Sequence, residues 1–299
     1  MAWRRLVSIT GPGGIGKTTV AIATAARYVA RTGGESAFVD LSRTNDDESI
    51  VRTILDSLGL ETPAEAFTAL CAELSARKVL LILDTCEHIV DPMARITEAL
   101  LCHCSGLKLL VTSREELRAA GEWMHRLPSL TFPEPGDQIA DATAPDYTAI
   151  TLFIDRVRWF TRFEVRSGDL PMVAKICRRL DGIPLAPDFA AARVADLGLR
   201  NIVEQLDDRF AILTRGPRTA LPRHRTLLAT LDWSYRLLSA DEQRMLRHLA
   251  DHEGSFTAEH AHIAGRRAGC EQPLEALRGL YEKSLVSVDM EDHYCPVNL

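Results

Sequence analysis

The stretch Gly11-Pro-Gly-Gly-Ile-Gly-Lys17-Thr18 sets four glycines, a lysine and a hydroxyl residue at a spacing suited to a polyphosphate. It matches G-x-x-x-x-G-K-[ST] in full. A loop that wraps phosphate oxygens must present its backbone N–H groups, and side chains would block that approach. Lys17 adds a point charge for the β- and γ-phosphates, and the Thr18 hydroxyl can ligate Mg²⁺. The helix that follows contributes its positive N-terminal end. The ligand chemistry is that of a purine nucleoside triphosphate or its diphosphate, ATP or ADP. Gly11, Pro12, Gly13, Gly14, Ile15, Gly16, Lys17, Thr18 and Thr19 are the residues expected against it.

Such a loop needs a carboxylate at the end of a neighbouring strand to hold the metal. Asp84 follows the apolar run Val79-Leu-Leu-Ile-Leu83, so Thr18 and Asp84 are the expected metal residues. Hydrolysis also needs a group that orients or deprotonates water. Thr85 cannot be a base, and Glu87 is the nearest carboxylate, so Glu87 is the candidate. Leu109-Leu-Val-Thr-Ser-Arg114 ends another apolar run. Arg114 is placed to reach a γ-phosphate and report its presence. Lys17, Glu87 and Arg114 are thus the candidate catalytic set.

The elements that must position these groups alternate in type. Leu6–Ile9, Ser36–Leu41, Val79–Leu83 and Leu107–Val111 read as strands. Residues 18–30, 47–58 and 64–76 carry helical spacing of apolar residues. Continuous apolar strands between helices imply an α/β fold, a parallel sheet with helices on both faces. Prolines and acidic residues over Pro128–Pro145 read as a linker. Beyond it the signals are helical, at about 147–163, 170–180, 185–197 and 200–213. A second break near Gly216-Pro217 carries Arg215, Arg218, Arg223, His224 and Arg225. Ser239-Ala-Asp-Glu242 has the form of a capping box. Three helices and a hairpin from Leu285 onward would make a winged helix. The expected division is 1–132, 145–215 and 222–299.

With 299 residues, 46% hydrophobic and 25% charged, the chain can fill several cores. The net charge of −6 argues against a generally basic nucleic-acid surface. Seven cysteines with no CxxC pair argue against a disulfide framework and for a reducing, cytoplasmic compartment. No apolar run reaches the roughly 18 residues that span a bilayer, so no membrane partner is expected. Cys102-His103-Cys104 and His260-Ala-His262 lack zinc-type spacing.

Five motifs in order resemble the STAND class of P-loop ATPases, in particular the NB-ARC-like modules of bacterial LuxR-type and winged-helix transcriptional regulators. They are the loop at Gly11–Thr19, Leu81-Ile-Leu-Asp84-Thr-Cys-Glu-His88, Leu110-Val-Thr-Ser-Arg114-Glu, Leu180-Asp-Gly-Ile-Pro184-Leu-Ala186 and Thr230-Leu-Asp-Trp-Ser-Tyr235. The resemblance implies an ATPase domain, a small helical domain and a winged helix. It implies a switch in which ADP holds a closed monomer and ATP permits self-association. It places Pro184 near the adenine and makes Arg114 a sensor of phosphate. The chain departs from the pattern at Thr85, where the family often has a second acid. It departs again at Pro187-Asp188-Phe189, tolerable only because a proline fits the first turn of a helix. The expectation is the core switch of a larger design, or a truncated relative.

Three readings follow. The first is a nucleotide-dependent switch module of a signalling or transcriptional regulator, with slow hydrolysis or none. The second is a sustained ATPase, which needs a competent base. The third is a DNA-binding regulator acting through the winged helix, disfavoured by the charge balance.

Overall fold

The computed structural model describes residues 4–137, 139–140, 142–206, 232, 234–250, 255–288 and 294–296. Two compact units are present. The first is Met1–Pro12, Lys17–Leu127 and Glu282–Ser284, and the second is Gly13–Gly16, Pro128–Tyr281 and Leu285–Leu299.

The first unit is built on five parallel strands. They are β1 (Leu6–Thr10), β2 (Glu35–Asp40), β3 (Val79–Asp84), β4 (Lys108–Ser113) and β5 (Glu122–Arg126). Their order across the sheet is β2-β3-β4-β1-β5. Because side chains alternate across a strand, the central strands feed two cores. Leu6, Leu81, Leu83, Leu109 and Val111 point into one, shared with α2 (Asp47–Ser57), α3 (Ala66–Ser75) and α4 (Val90–His103). Val7, Ile9, Leu80, Ile82 and Leu110 point into the other, against Ala21 and Ala25 of α1 (Lys17–Thr32). Burial of both faces is why these strands read as unbroken apolar runs.

Two elements go beyond the sequence expectation. The helix α4 buries Met93, Ile96, Thr97 and Leu100, a helical spacing legible in the sequence once Pro92 is accepted in the first turn. The strand β5 has no such signal. It lies at the sheet edge with Trp123 and Met124 exposed, held by pairing with β1 rather than by burial.

In the second unit, α5 (Thr148–Phe160), α6 (Leu170–Arg179), α7 (Leu185–Ala192) and α8 (Val194–Gln205) enclose a core around Phe153, Cys177 and Phe189. The expected helices at 185–197 and 200–213 are corrected here. The break falls at Arg193, and the interruption expected near 198 is a kink at Gly198 (φ 73°, ψ 159°) inside α8. Residues 207–213 lie outside the described residues, as do Arg215, Arg218, Arg223, His224 and Arg225. The Pro-rich stretch expected as a linker is tied down. Leu130 N–H donates to Gly182 O (2.9 Å), Ala149 N–H to Thr131 O (3.0 Å) and Arg178 Nε to Pro133 O (2.9 Å).

Farther along are α9 (Ala240–Leu249), α10 (Ala258–Arg267) and α11 (Pro273–Glu282), then β6 (Val286–Val288) antiparallel to β7 (Tyr294–Pro296). These are the three helices and the hairpin expected from the sequence beyond residue 222. The expected capping box opens α9: Ser239 N–H donates to Glu242 Oε2 (2.6 Å), and Glu242 N–H to Ser239 Oγ (3.3 Å). Of the fifth motif, Asp232, Ser234 and Tyr235 are described, and Ser234 is buried.

Candidate nucleotide site

In parallel strands the carboxyl ends line up along one edge of the sheet, and ligands bind outside that edge. The glycine loop leaves the end of β1, Asp84 is the last residue of β3, and Ser113 is the last of β4. The loop then enters α1 at Lys17. Gly14 and Gly16 have φ of +79° and +94°, a region that L side chains rarely adopt. Lys17 Nζ donates to Gly11 O (2.7 Å) and Pro12 O (2.9 Å), which holds the loop curled over its own lysine.

Asp84 is 4% exposed, and three threonine hydroxyls reach its carboxylate. Thr18 Oγ1 donates to Asp84 Oδ1 at 2.7 Å, Thr112 Oγ1 to the same oxygen at 2.6 Å, and Thr85 Oγ1 to Oδ2 at 3.1 Å. A buried carboxylate is tolerable only when hydrogen-bonded in this way. The hydroxyl of Thr18 and the carboxylate of Asp84 are hard oxygen donors within contact of each other, the donor chemistry that suits Mg²⁺. Thr112 went unassigned in the sequence. Its only sequence signal is a polar residue near the end of an otherwise apolar strand.

Arg114 and Glu87 meet. Arg114 Nε lies 3.4 Å from Glu87 Oε1, with side chains 6% and 7% exposed. The Arg114 carbonyl accepts from Ser284 Oγ at 3.0 Å. Cys86, between Asp84 and Glu87, is fully buried. Burial first, then the nearby carboxylates of Glu87 and Asp84, push its thiol well above the ordinary range. A thiol held protonated is no nucleophile at neutral pH.

Within the second unit, the loop residues Gly13–Gly16 lie against the segment that carries Pro184. Leu185 N–H donates to Gly14 O at 3.2 Å. A Cβ on Gly14 would stand 2.8 Å from Leu185 Cβ, and one on Gly16 would stand 4.0 Å from Pro184 Cγ. Pro184 is the N-cap of α7, and Pro187 falls in its first turn, as a proline must. Gly182 adopts φ +63°, and a Cβ there would meet Leu130 O at 2.2 Å. That contact explains why the turn before Pro184 is glycine.

Residues 2–126 match the NB-ARC domain family. Over 294 residues the chain is 37% identical to a Mycobacterium tuberculosis (strain H37Rv) protein whose name proposes an HTH-type transcriptional regulator. That alignment covers 97% of this chain and 32% of the relative, so the chain spans about a third of that protein's length. A second, uncharacterized protein of the same organism is 35% identical over 265 residues, covering 88% of this chain and 64% of the relative. In fold the chain is similar to the ORC2 protein of Aeropyrum pernix, solved in ADPNP and ADP complexes. The TM-score is 0.54 at 14% identity, over 97% of this chain and 83% of that one. Among the described residues no helix is long and apolar enough to cross a membrane. Residues 2–126, which carry the glycine loop, Asp84, Glu87 and Arg114, are thus the part of the chain that matches the NB-ARC domain family.

Proposed function

We propose that this chain is an ATP- and ADP-binding switch module of a signalling or transcriptional regulator, working through residues 1–132, 145–215 and 222–299. The observation that carries the proposal is the 2.7 Å contact of Thr18 Oγ1 with Asp84 Oδ1, directly after a full phosphate-binding loop. In this reading, the backbone of Gly11–Gly16 and Lys17 hold the phosphates, and Thr18 and Asp84 hold Mg²⁺. The metal would neutralise charge on the phosphate oxygens. Pro184 would lie against the base, and Arg114 would respond to the γ-phosphate. Cys71, Cys86, Cys102, Cys104, Cys177 and Cys270 are unbridged, in keeping with work in the reducing cytoplasm. The regulatory setting is taken from the name of the 37% identical relative, and self-association in the ATP state from the resemblance of the motifs.

The sustained-ATPase reading is weaker. Thr85 stands after Asp84, and its hydroxyl is turned to that carboxylate (3.1 Å). Glu87 is bound to Arg114. Neither offers a free base without rearrangement. The DNA-binding reading is weaker too, because the described face of α11 alternates Glu275 with Arg278 and exposes Leu274 and Tyr281, whereas a phosphate backbone calls for clustered positive charge.

The test is the nucleotide that purified protein retains, followed by titration calorimetry with ADP and ATP in Mg²⁺. Retained ADP and a Lys17→Ala loss of at least about tenfold in affinity, roughly 1.4 kcal/mol, are expected. No adenine-nucleotide binding by the wild type, or equal binding by Lys17→Ala, would overturn the reading.

A further inference from the structure

Thr112 sits at the centre of a hydrogen-bond chain whose direction is forced. A backbone N–H can only donate, so Thr85 N–H gives its proton to Thr112 Oγ1 at 3.0 Å. The one hydroxyl proton of Thr112 is then left for Asp84 Oδ1 at 2.6 Å, and an ionised carboxylate can only accept. Thr112 is 2% exposed and Thr85 6%, so water does not substitute for either contact. Thr85 makes its contact from an unusual conformation, φ +66°, which a β-branched residue rarely adopts. Such a conformation persists only where its surroundings over-determine it, and it concentrates at working sites. Two further bonds fix the same turn: Cys86 N–H donates to Thr112 O (3.0 Å), and Leu41 N–H to Asp84 O (3.0 Å).

We infer that Thr112 is a positioning residue for Asp84, passing the orientation of the Thr85 backbone on to the carboxylate oxygen that Thr18 also touches. The inference rests on the nucleotide and Mg²⁺ reading of the site. Asp84 Oδ1 receives two hydroxyls and Oδ2 one. Thr112 thereby sets the angle at which the carboxylate faces the loop. A small hydroxyl-bearing side chain is required: valine keeps the shape and loses the proton, and it leaves the buried Thr85 N–H without its acceptor.

The experiment compares ADP binding by calorimetry in Mg²⁺ and in EDTA for the wild type, Thr112→Val and Thr112→Ser, with circular dichroism to confirm folding. The wild type is expected to gain affinity from Mg²⁺. Thr112→Val should lose at least tenfold in Mg²⁺ and change less than twofold in EDTA, and Thr112→Ser should stay within twofold of wild type in both. If Thr112→Val does not fold, Thr112→Cys replaces it with the same expectation, since a thiol is a weak donor. A wild-type Mg²⁺ gain in the valine or cysteine variant would overturn the inference, as would an equal loss with and without Mg²⁺. A wild type that binds no ADP at all overturns the parent reading, and that result is told apart by the wild-type titration alone.

Discussion

Arg114 and Glu87 form a buried ion pair, Nε to Oε1 at 3.4 Å, although 27 positions separate them in the chain. Each lies just past the end of a strand, Glu87 after β3 and Arg114 after β4, and those strands are neighbours in the sheet. Through this pairing Glu87 holds the guanidinium in place. Breaking a buried pair by removing one partner costs about 3–5 kcal/mol, because the other charge is left uncompensated. Glu87→Gln is therefore expected to lower stability by about 3 kcal/mol, the low end, since the amide keeps one acceptor. Phosphate release should change less than about twofold, well short of the 10²–10⁴ that a general base contributes. A denaturation curve and a steady-state phosphate assay check both. A large fall in turnover with unchanged stability would assign Glu87 to the water instead.

Gly14 answers to two constraints, its φ of +79° and the 2.8 Å approach of Leu185 Cβ to where a Cβ would lie. Forcing an alanine into the left-handed region costs roughly 1–2 kcal/mol before any clash. Gly14→Ala is expected to melt lower and to bind nucleotide more weakly. Leu185→Gly removes the Cβ at 2.8 Å and the Cδ2 at 3.1 Å but not the strain at Gly14, so the double variant should recover part of the loss. A double-mutant cycle on melting temperature measures that coupling, expected at roughly 0.5 kcal/mol or more. A strictly additive double variant would mean that Leu185 does not constrain the loop.

Much of this was legible in the sequence, for physical reasons. Strands buried on both faces must be apolar throughout, which exposed Leu6–Thr10, Val79–Asp84 and Lys108–Ser113 to reading. The phosphate loop was legible because its backbone geometry admits little besides glycine. The strand Glu122–Arg126 was not, because an edge strand stabilised by ladder bonds to β1 needs no apolar face. The role of Thr112 was not either: it depends on Thr85 adopting a positive φ, and nothing in a threonine announces that. The pairing of Glu87 with Arg114 spans two strand connections, and sequence spacing alone could not bring them together.

The helical core offers a simpler test of packing. Phe189 is 1% exposed and sits on α7 two residues after Pro187. Truncating a buried phenylalanine costs about 3–5 kcal/mol, from lost transfer energy and the cavity left behind. Phe189→Ala should therefore destabilise the helical segment strongly, while the sheet core around Leu81 and Leu109 keeps its protection in hydrogen exchange. Uniform loss of protection across both would show that the two cores unfold as one.

Asp188 should make stability depend on pH in the direction opposite to most carboxylates. It joins α7 to α5 through Arg156 Nε, at 2.6 Å. Burial raises its carboxyl above the usual 3.8, and the Arg156 guanidinium offsets only part of that. The folded state then binds a proton more tightly than the unfolded chain does. The contribution is fully present below about pH 3.8, the unfolded value, and is lost as pH rises through the higher folded value. Asp188→Asn cannot titrate and removes this dependence. The melting temperature of wild type minus that of Asp188→Asn should accordingly rise as pH is lowered from 7 toward 4. Taking the difference cancels the carboxylates common to both proteins, such as Asp46, whose hydrogen bonds to the Ser49 backbone and side chain lower its pKa and act the other way. A difference that stays flat or falls on acidification would show that the Arg156 pairing, not burial, dominates at Asp188.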